Sequence, residues 1–337
     1  MIAYIIRRLL AAAGTLFVVS VLTFGIFYMF PRLAGATPET LASRYVGRSA
    51  TAETVKATAN ALGFYDPVTV QYWHWAKGIF VGADYNLGTG VEHCPAPCLG
   101  YSFISRTPVW PDLLDRFPVT LSLAIGASVL WLAGGLAVGV LSALRRGTVL
   151  DRTAMMVALA GVSMPIFWTG LMALSFFSYR WGLFPGGGSY VAFTENPIRW
   201  AYALMLPWIT LAFLFSAQFA RLTRAGMLET MNEDFIRTAR AKGLVERDVV
   251  VKHGLRAALT PILTIFGLDF GLLIGGAVLT ENVFSLNGLG KYAVIGISDQ
   301  DMPKIMGVTL VAAFFIVLSN LVVDLLYAFV DPRVRLK

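Results

Sequence analysis

Charge is scarce in this chain. Lys, Arg, Asp and Glu make up 14% of 337 residues, where soluble domains carry about a quarter. With 57% hydrophobic residues and a mean hydropathy of +0.68, this excludes an ordinary soluble domain and implies an integral membrane protein. Only two cysteines occur, Cys94 and Cys98, too few for a disulfide framework. The three histidines, His74, His93 and His253, are too scattered for a catalytic cluster, and no nucleophile elbow appears. No G-x-x-x-x-G-K-[ST] phosphate loop occurs, so nucleotide chemistry is not expected in this chain. Low-complexity tracts and short repeats are also lacking. The triplet Gly186-Gly187-Gly188 has no strand and helix around it to make a phosphate cradle and reads as a turn.

What the chain has instead is long apolar runs. A helix needs about 20 apolar residues to cross the hydrocarbon. Four charge-free runs meet this, 9–30, 119–144, 153–179 and 200–220; two more, 257–280 and 305–330, each hold one aspartate. The first run follows Arg7 and Arg8 as a signal peptide would, but it is longer than the ~7–15 residues of a secretory apolar core and reads as an uncleaved span. The expected fold is therefore an all-α integral membrane protein. It has six transmembrane helices, with a small helical extracytoplasmic domain between the first and second. Residues 1–30 form the N-terminus and first span, 31–116 the cap loop, and 117–337 a five-helix domain with a cytoplasmic loop at 221–258.

Orientation follows from Lys and Arg. Arg7, Arg8, Arg145, Arg146, Arg152, the eight basic residues from Arg221 to Arg256 and three at the tail fall on one side, sixteen of 27. Both termini are expected to be cytoplasmic. The net charge of +7 is then a matter of topology, and no nucleic-acid partner is expected.

In the cap, "TAETVKATANALG" offers Thr51 as N-cap and Gly63 as stop. "YDPVTVQYWHWAKG" offers Asp66 as cap, Pro67 at the first helical position and Gly78 near the end. "HCPAPC" admits three readings: a tight Cys94–Cys98 disulfide, unpaired thiols, or a metal held by His93 and both cysteines. The disulfide is the plainest. In the fifth run, Gly267, Gly271 and Gly275 recur every fourth residue on one face, where another helix can approach closely. Asp269 points about 200° away from Gly267; it either lines a pathway or pairs with a buried donor. Asp324 is expected to pair with Arg333 or Arg335 or to hydrogen-bond locally.

The longest polar segment lies at 221–258. Its centre, "DFIRTARAKGL", reads as a short two-faced helix ending at Gly243 in a left-handed stop, with a second short helix over "VERDVVVKHG" that continues toward Pro261 and the next span. Phe235, Ile236, Ala239 and Leu244 make an apolar patch, and Arg237, Arg240 and Lys242 carry charge. Such a unit suits docking into a groove on a soluble partner. The plainer alternative is a basic loop resting on anionic lipid, but Glu229, Glu233, Asp234, Glu246 and Asp248 interrupt the basic run.

"RTARAKGL" with "HGLRAALTPIL" downstream resembles the cytoplasmic Glu-Ala-Ala signature of binding-protein-dependent ABC importer permeases, in its dipeptide and oligopeptide form. Thr238-Ala239-Arg240 stand where that family has the triplet, followed by Ala241-Lys242-Gly243. "YIIRRLL", "ALGFYDPVTVQYWHW", "ADYNLG", "GGAVLTENVFSLNGLG" and "VDLLYAFVDPRVR" extend the resemblance over almost the whole chain, nearest to the first of two permease subunits. "EHCPAPCLGYSFISRTPVW" departs from the family pattern by expanding the outer segment.

The resemblance implies a permease subunit in a bacterial inner membrane. It implies as partners a second homologous permease, two cytoplasmic ATPases that hold ATP and Mg, and an extracytoplasmic substrate-binding protein. This subunit would have no cofactor of its own and would touch membrane lipid. Phe235, Arg237, Ala239, Arg240, Lys242 and Gly243 would form the coupling element to an ATPase. Peptides are the implied cargo, though relatives carry nickel chelates or sugars. An ion-coupled carrier would use Asp269 and Asp324 but leave the cytoplasmic unit without a purpose. A membrane-embedded enzyme would need converging polar groups that the spans lack.

Overall fold

The computed structural model describes residues 2–46, 50–86 and 91–330. Among the described residues, five helices are long and apolar enough to cross a membrane: Ile5–Leu33, Val109–Leu144, Pro197–Thr230, Glu246–Ile274 and Met302–Leu325. The first is α1 (Ile2–Phe24) continued through a π-helical turn at Gly25–Met29 and on to Phe30–Leu33.

The outer segment holds α2 (Pro38–Val46), α3 (Ala52–Ala61) and α4 (Val68–Val81). Thr51 caps α3 as expected, its hydroxyl accepting from the Thr54 amide at 3.3 Å. In α4 the cap is Pro67 rather than Asp66; Gly78 lies buried in the last turn, near the end as expected, and the stop is Gly82 at φ +88°. A Cβ at Gly82 would also lie 2.8 Å from the Cys94 carbonyl oxygen, so glycine is required there twice over. Two antiparallel hairpins that hydropathy did not announce follow. Strand β1 (Ala83–Asn86) pairs with β2 (Val91–Cys94), and β3 (Tyr101–Ser102) with β4 (Thr107–Pro108). Cys94 and Cys98 are disulfide-bonded. His93 turns to Asp84, its cross-strand neighbour, with Nδ1 2.6 Å from Oδ1.

The membrane part begins with α5 (Val109–Leu144), which starts ahead of its apolar run and carries Pro118 in its interior. The run 153–179 was expected to be one straight span. It is instead α6 (Val149–Ser163) and α7 (Ile166–Ala173), the latter continued by a π-helical Leu174–Arg180, with a 103° bend between the halves. The cause is Pro165: the residue before a proline avoids the helical region, and Met164 is extended at φ −85°, ψ 131°.

Helix α8 (Pro197–Thr230) leads to α9 (Asp234–Ala241) and then α10 (Arg256–Ile274). The fifth run ends at Ile274, short of the expected 280, because Gly275 and Gly276 break the helix before α11 (Val278–Val283). Helices α12 (Leu289–Asp299) and α13 (Met302–Val330) complete the described chain.

Two glycine seams hold the spans. On α5, a Cβ at Gly135 would come within 2.5 Å of the Phe219 Cβ, and one at Gly139 within 2.7 Å of the Ala220 carbonyl oxygen. These glycines let α8 lie directly against α5. Trp131, fully buried, fills the same interface, stacked on Phe215 at 4.8 Å. On α10, Gly267, Gly271 and Gly275 do face another helix: added Cβ atoms would meet Val323, Ile316 and Ala312 of α13. In lipid, backbone proximity and dispersion replace the hydrophobic drive between helices, so small residues at such seams carry the association.

Asp324 pairs with Arg8 at 2.8 Å, joining the last span to the start of the first; Arg333 and Arg335 lie outside the described residues. The cap is fastened to α13 by the Ser102 hydroxyl, which donates to the buried Asp301, itself 3.1 Å from Lys304 Nζ. Between α10 and α12, Glu281 is fully buried and accepts from the Thr120 hydroxyl at 2.7 Å and the Lys291 amide at 2.9 Å. The carboxylate thus sits at the positive end of α12.

Gly271→Val forces a side chain against the Ile316 Cα, which an added Cβ already approaches to 3.1 Å. It is expected to cost about 1–3 kcal/mol of stability in detergent thermal unfolding. Gly14→Ala, where the added Cβ meets nothing within 4 Å, is expected to leave the midpoint unchanged.

Candidate functional site

Helix α9 has eight residues, too few to persist alone in water, where about 12–15 are marginal. Tertiary packing makes up the difference. Ile236 and Ala239 are buried against Val249 and Met231. The C-terminus closes with two bonds, Gly243 N–H to the Arg240 carbonyl at 2.9 Å and Leu244 N–H to the Ala239 carbonyl at 3.4 Å. This is a Schellman closure and needs a left-handed residue at Gly243, which stands at φ +75°. A Cβ there would meet nothing within 4 Å, so the requirement on Gly243 is conformational alone.

The second short helix over "VERDVVVKHG" continues toward Pro261 and the next span, as expected: Glu246–Asp248 runs through the π-helical Val249–Leu255 straight into α10. Helix α9 therefore hangs between the ends of two spans, with Met231–Glu233 on one side and Lys242–Val245 on the other.

The structure divides the six expected contact residues. Phe235 is 46% exposed, and Arg237 and Lys242 face solvent. Arg237 makes only an exposed pair with Asp234 at 3.3 Å. Ala239 faces inward, Gly243 shapes the turn, and Arg240 is engaged across that turn by both Glu246 oxygens, at 2.7 and 3.1 Å. Hydrogen bonding to that carboxylate holds the Arg240 guanidinium above its ordinary pKa. Leu244 and Val245 add exposed apolar surface beside Phe235.

A second constellation went unread in the sequence. Asp151, almost wholly buried in α6, receives Arg224 of α8 in a two-toothed grip, Nε at 2.7 Å and Nη2 at 2.9 Å. It also accepts from the Gly147 amide at 2.9 Å and from the Ser142 hydroxyl. Four acceptor positions are filled, so the carboxylate is fully satisfied. It ties the α5–α6 turn to α8 less than two turns before that helix ends. The available signal was a lone acid in the basic turn "RRGTVLDR". In α10, Asp269 is half-buried, and its Oδ2 is buried with no hydrogen-bond partner among the described residues.

Residues 135–336 match the family described as binding-protein-dependent transport system inner membrane component, and residues 1–124 match its N-terminal region. The chain belongs to this family. It is 37% identical to the dipeptide transport system permease protein DppB of Escherichia coli (strain K12), over 100% of both chains. It is 38% identical to a putative peptide transport system permease protein of Brucella abortus (strain 2308), over 99% of both. The glutathione transport system permease protein GsiC of Escherichia coli O6:H1 is 36% identical over the full length of both. Among solved structures, an inward-facing form of the MetNI methionine ABC transporter superposes with TM-score 0.49 at 20% identity, over 65% of this chain and 96% of that one.

Two pairs of substitutions separate the constraints in this permease. Gly243→Val places a β-branched residue in the left-handed region and is expected to cost about 1–2 kcal/mol; Gly243→Asn is expected to cost less, read by thermal unfolding and by protease cutting after α9. Arg224→Met leaves the buried Asp151 without its cation and is expected to lower the melting midpoint well beyond the effect of Arg240→Met, whose partner is exposed.

Proposed function

We propose that this chain is a permease subunit of an ATP-driven importer, forming half of the translocation pathway for di- or oligopeptides handed over by an extracytoplasmic binding protein. The observation that carries the proposal is α9: a self-stabilised helix strung between two spans, with Phe235, Arg237 and Lys242 turned outward. Full-length identity with permeases whose names specify dipeptide, peptide and glutathione transport supports the peptide class over nickel chelates or sugars.

In this reading Phe235, Arg237 and Lys242 seat in a cleft of an ATPase, while Ala239, Arg240 and Gly243 keep the helix in shape. The partners are a second homologous permease, two ATPases holding ATP and Mg, and the binding protein; this subunit carries no cofactor. Both termini face the cytoplasm of a bacterial inner membrane. The clustering of Arg7, Arg8, Arg145, Arg146 and Arg152 with the α9 segment supports that orientation. Asp269, whose buried Oδ2 has no hydrogen-bond partner among the described residues and which lies about 200° around α10 from Gly267, lines the pathway.

ATPase closure displaces α9, and α8 and α10 move with it, each carrying its glycine-seamed partner. Such a change needs different binding energy in the two states.

Phe235→Ala is expected to reduce ATP-driven peptide uptake in proteoliposomes about tenfold, the loss typical of a central aromatic anchor, with a matching drop in ATPase co-purification and normal membrane insertion. Wild-type uptake in that variant removes the coupling assignment. Uptake that persists without ATP and collapses with the proton gradient replaces the importer with a carrier.

A further inference from the structure

Helix α4 has a face that nothing among the described residues covers. Val70, Trp73, Lys77, Phe80 and Val81 fall within about 120° of arc, and Phe80 and Trp73 are 82% and 67% exposed. Its opposite face packs on α1. The Tyr72 hydroxyl lies 2.8 Å from the Ser20 hydroxyl, and the buried Phe24 sits 5.4 Å from the Tyr72 ring and 5.7 Å from Trp75.

These contacts fix the depth of α4. Ser20 and Phe24 belong to the apolar span Ile5–Leu33. From Leu9, the first residue after the paired arginines, to Ser20 is about 17 Å at 1.5 Å per residue. A hydrocarbon layer of about 30 Å leaves Ser20 about 13 Å below the far surface. A tyrosine side chain reaching down to it sets the α4 axis close to that surface. Around the same level, Val21, Leu22 and Ile26 of α1 are exposed. Only 11% of that span is buried within the chain, so the uncovered face of α4 continues the lipid-facing side of α1.

We infer that α4 is an interfacial helix, lying in the extracytoplasmic leaflet with Trp73, Phe80 and Val81 embedded at the boundary of headgroups and acyl chains. Composition fits this occupant. The helix holds no acidic residue, and Lys77 is its one formal cation on a flexible stem that reaches to the headgroups, where anionic lipid favours it. Tryptophan is the residue of such boundaries, and the apolar face of an interfacial helix sinks about 5–10 Å into them. The helix is thus part of the membrane anchor, and the hairpins and α2–α3 are what remains for water-borne partners.

The test reads depth and needs no transport. The two cysteines of this chain are joined to each other, so Phe80→Cys offers one labelling site in it without reductant, and the chain is labelled before assembly with its partners. A nitroxide there is compared with one at Glu53→Cys, on the exposed start of α3. Both are measured in the complete transporter, in liposomes of phosphatidylethanolamine and phosphatidylglycerol. The expected result is a several-fold higher ratio of oxygen to nickel-chelate collision at position 80. A water-like ratio at 80, or a label shielded only when binding protein is added, overturns the inference in favour of a protein-docking surface. Should the cysteine variant fold poorly, Trp73→Phe is measured instead in brominated lipid. It is expected to remove part of the quenchable fluorescence; quenching equal to wild type overturns the inference.

Discussion

Close backbone contact between helices is the constraint on which this permease depends. Gly135 and Gly139 bring α8 onto α5, and Gly267, Gly271 and Gly275 bring α13 onto α10. Inside lipid there is no water to expel between apolar helices, so a side chain at the seam would separate the rods and forfeit the dispersion contacts of their full length. The result is two stiff pairs, α5 with α8 and α10 with α13. Helix α9 is attached to one member of each.

That attachment gives α9 its mechanical meaning. It follows α8 by three residues and precedes the Glu246–Ile274 rod by four, so it bridges the pairs instead of hanging from a loop. The Asp151–Arg224 clamp extends the first pair to α6, since a satisfied buried charge resists separation of the elements that share it. A displacement of α9 therefore reaches α5, α6 and α8 on one side and α10 and α13 on the other. The Arg8–Asp324 pair adds α1 to the second group.

The legible part of this arrangement was the part written in local chemistry. Apolar run length gave the spans, the every-fourth-residue glycines marked a real seam, and Gly243 marked a left-handed stop that the backbone adopts. The broken third span was legible too, in Met164-Pro165, but its charge-free run invited a straight rod. The Gly135-x-x-x-Gly139 seam was likewise present and unread. Three features depended on pairings across long stretches of chain: Asp151 with Arg224, Asp324 with Arg8, and Ser102 with Asp301. No local pattern names such partners. The hairpins of the outer segment escaped for a related reason, since strands of two to four residues leave no measurable alternation.

The division of labour within α9 carries one more consequence. A short helix in water is held by whatever it buries, and here Ile236 and Ala239 are committed inward. Arg240 is likewise committed, its charge met by Glu246 across the glycine turn. The groups that stabilise the helix are thus unavailable to a partner, and those left outside contribute little to the fold. Phe235, with Leu244 and Val245, leaves apolar surface in water whose burial would be favourable. Arg237 and Lys242 leave positive charge on the exposed side of the same segment. Stability and outward display thus rest on different residues of α9, so the outward ones can be replaced at little cost to the helix.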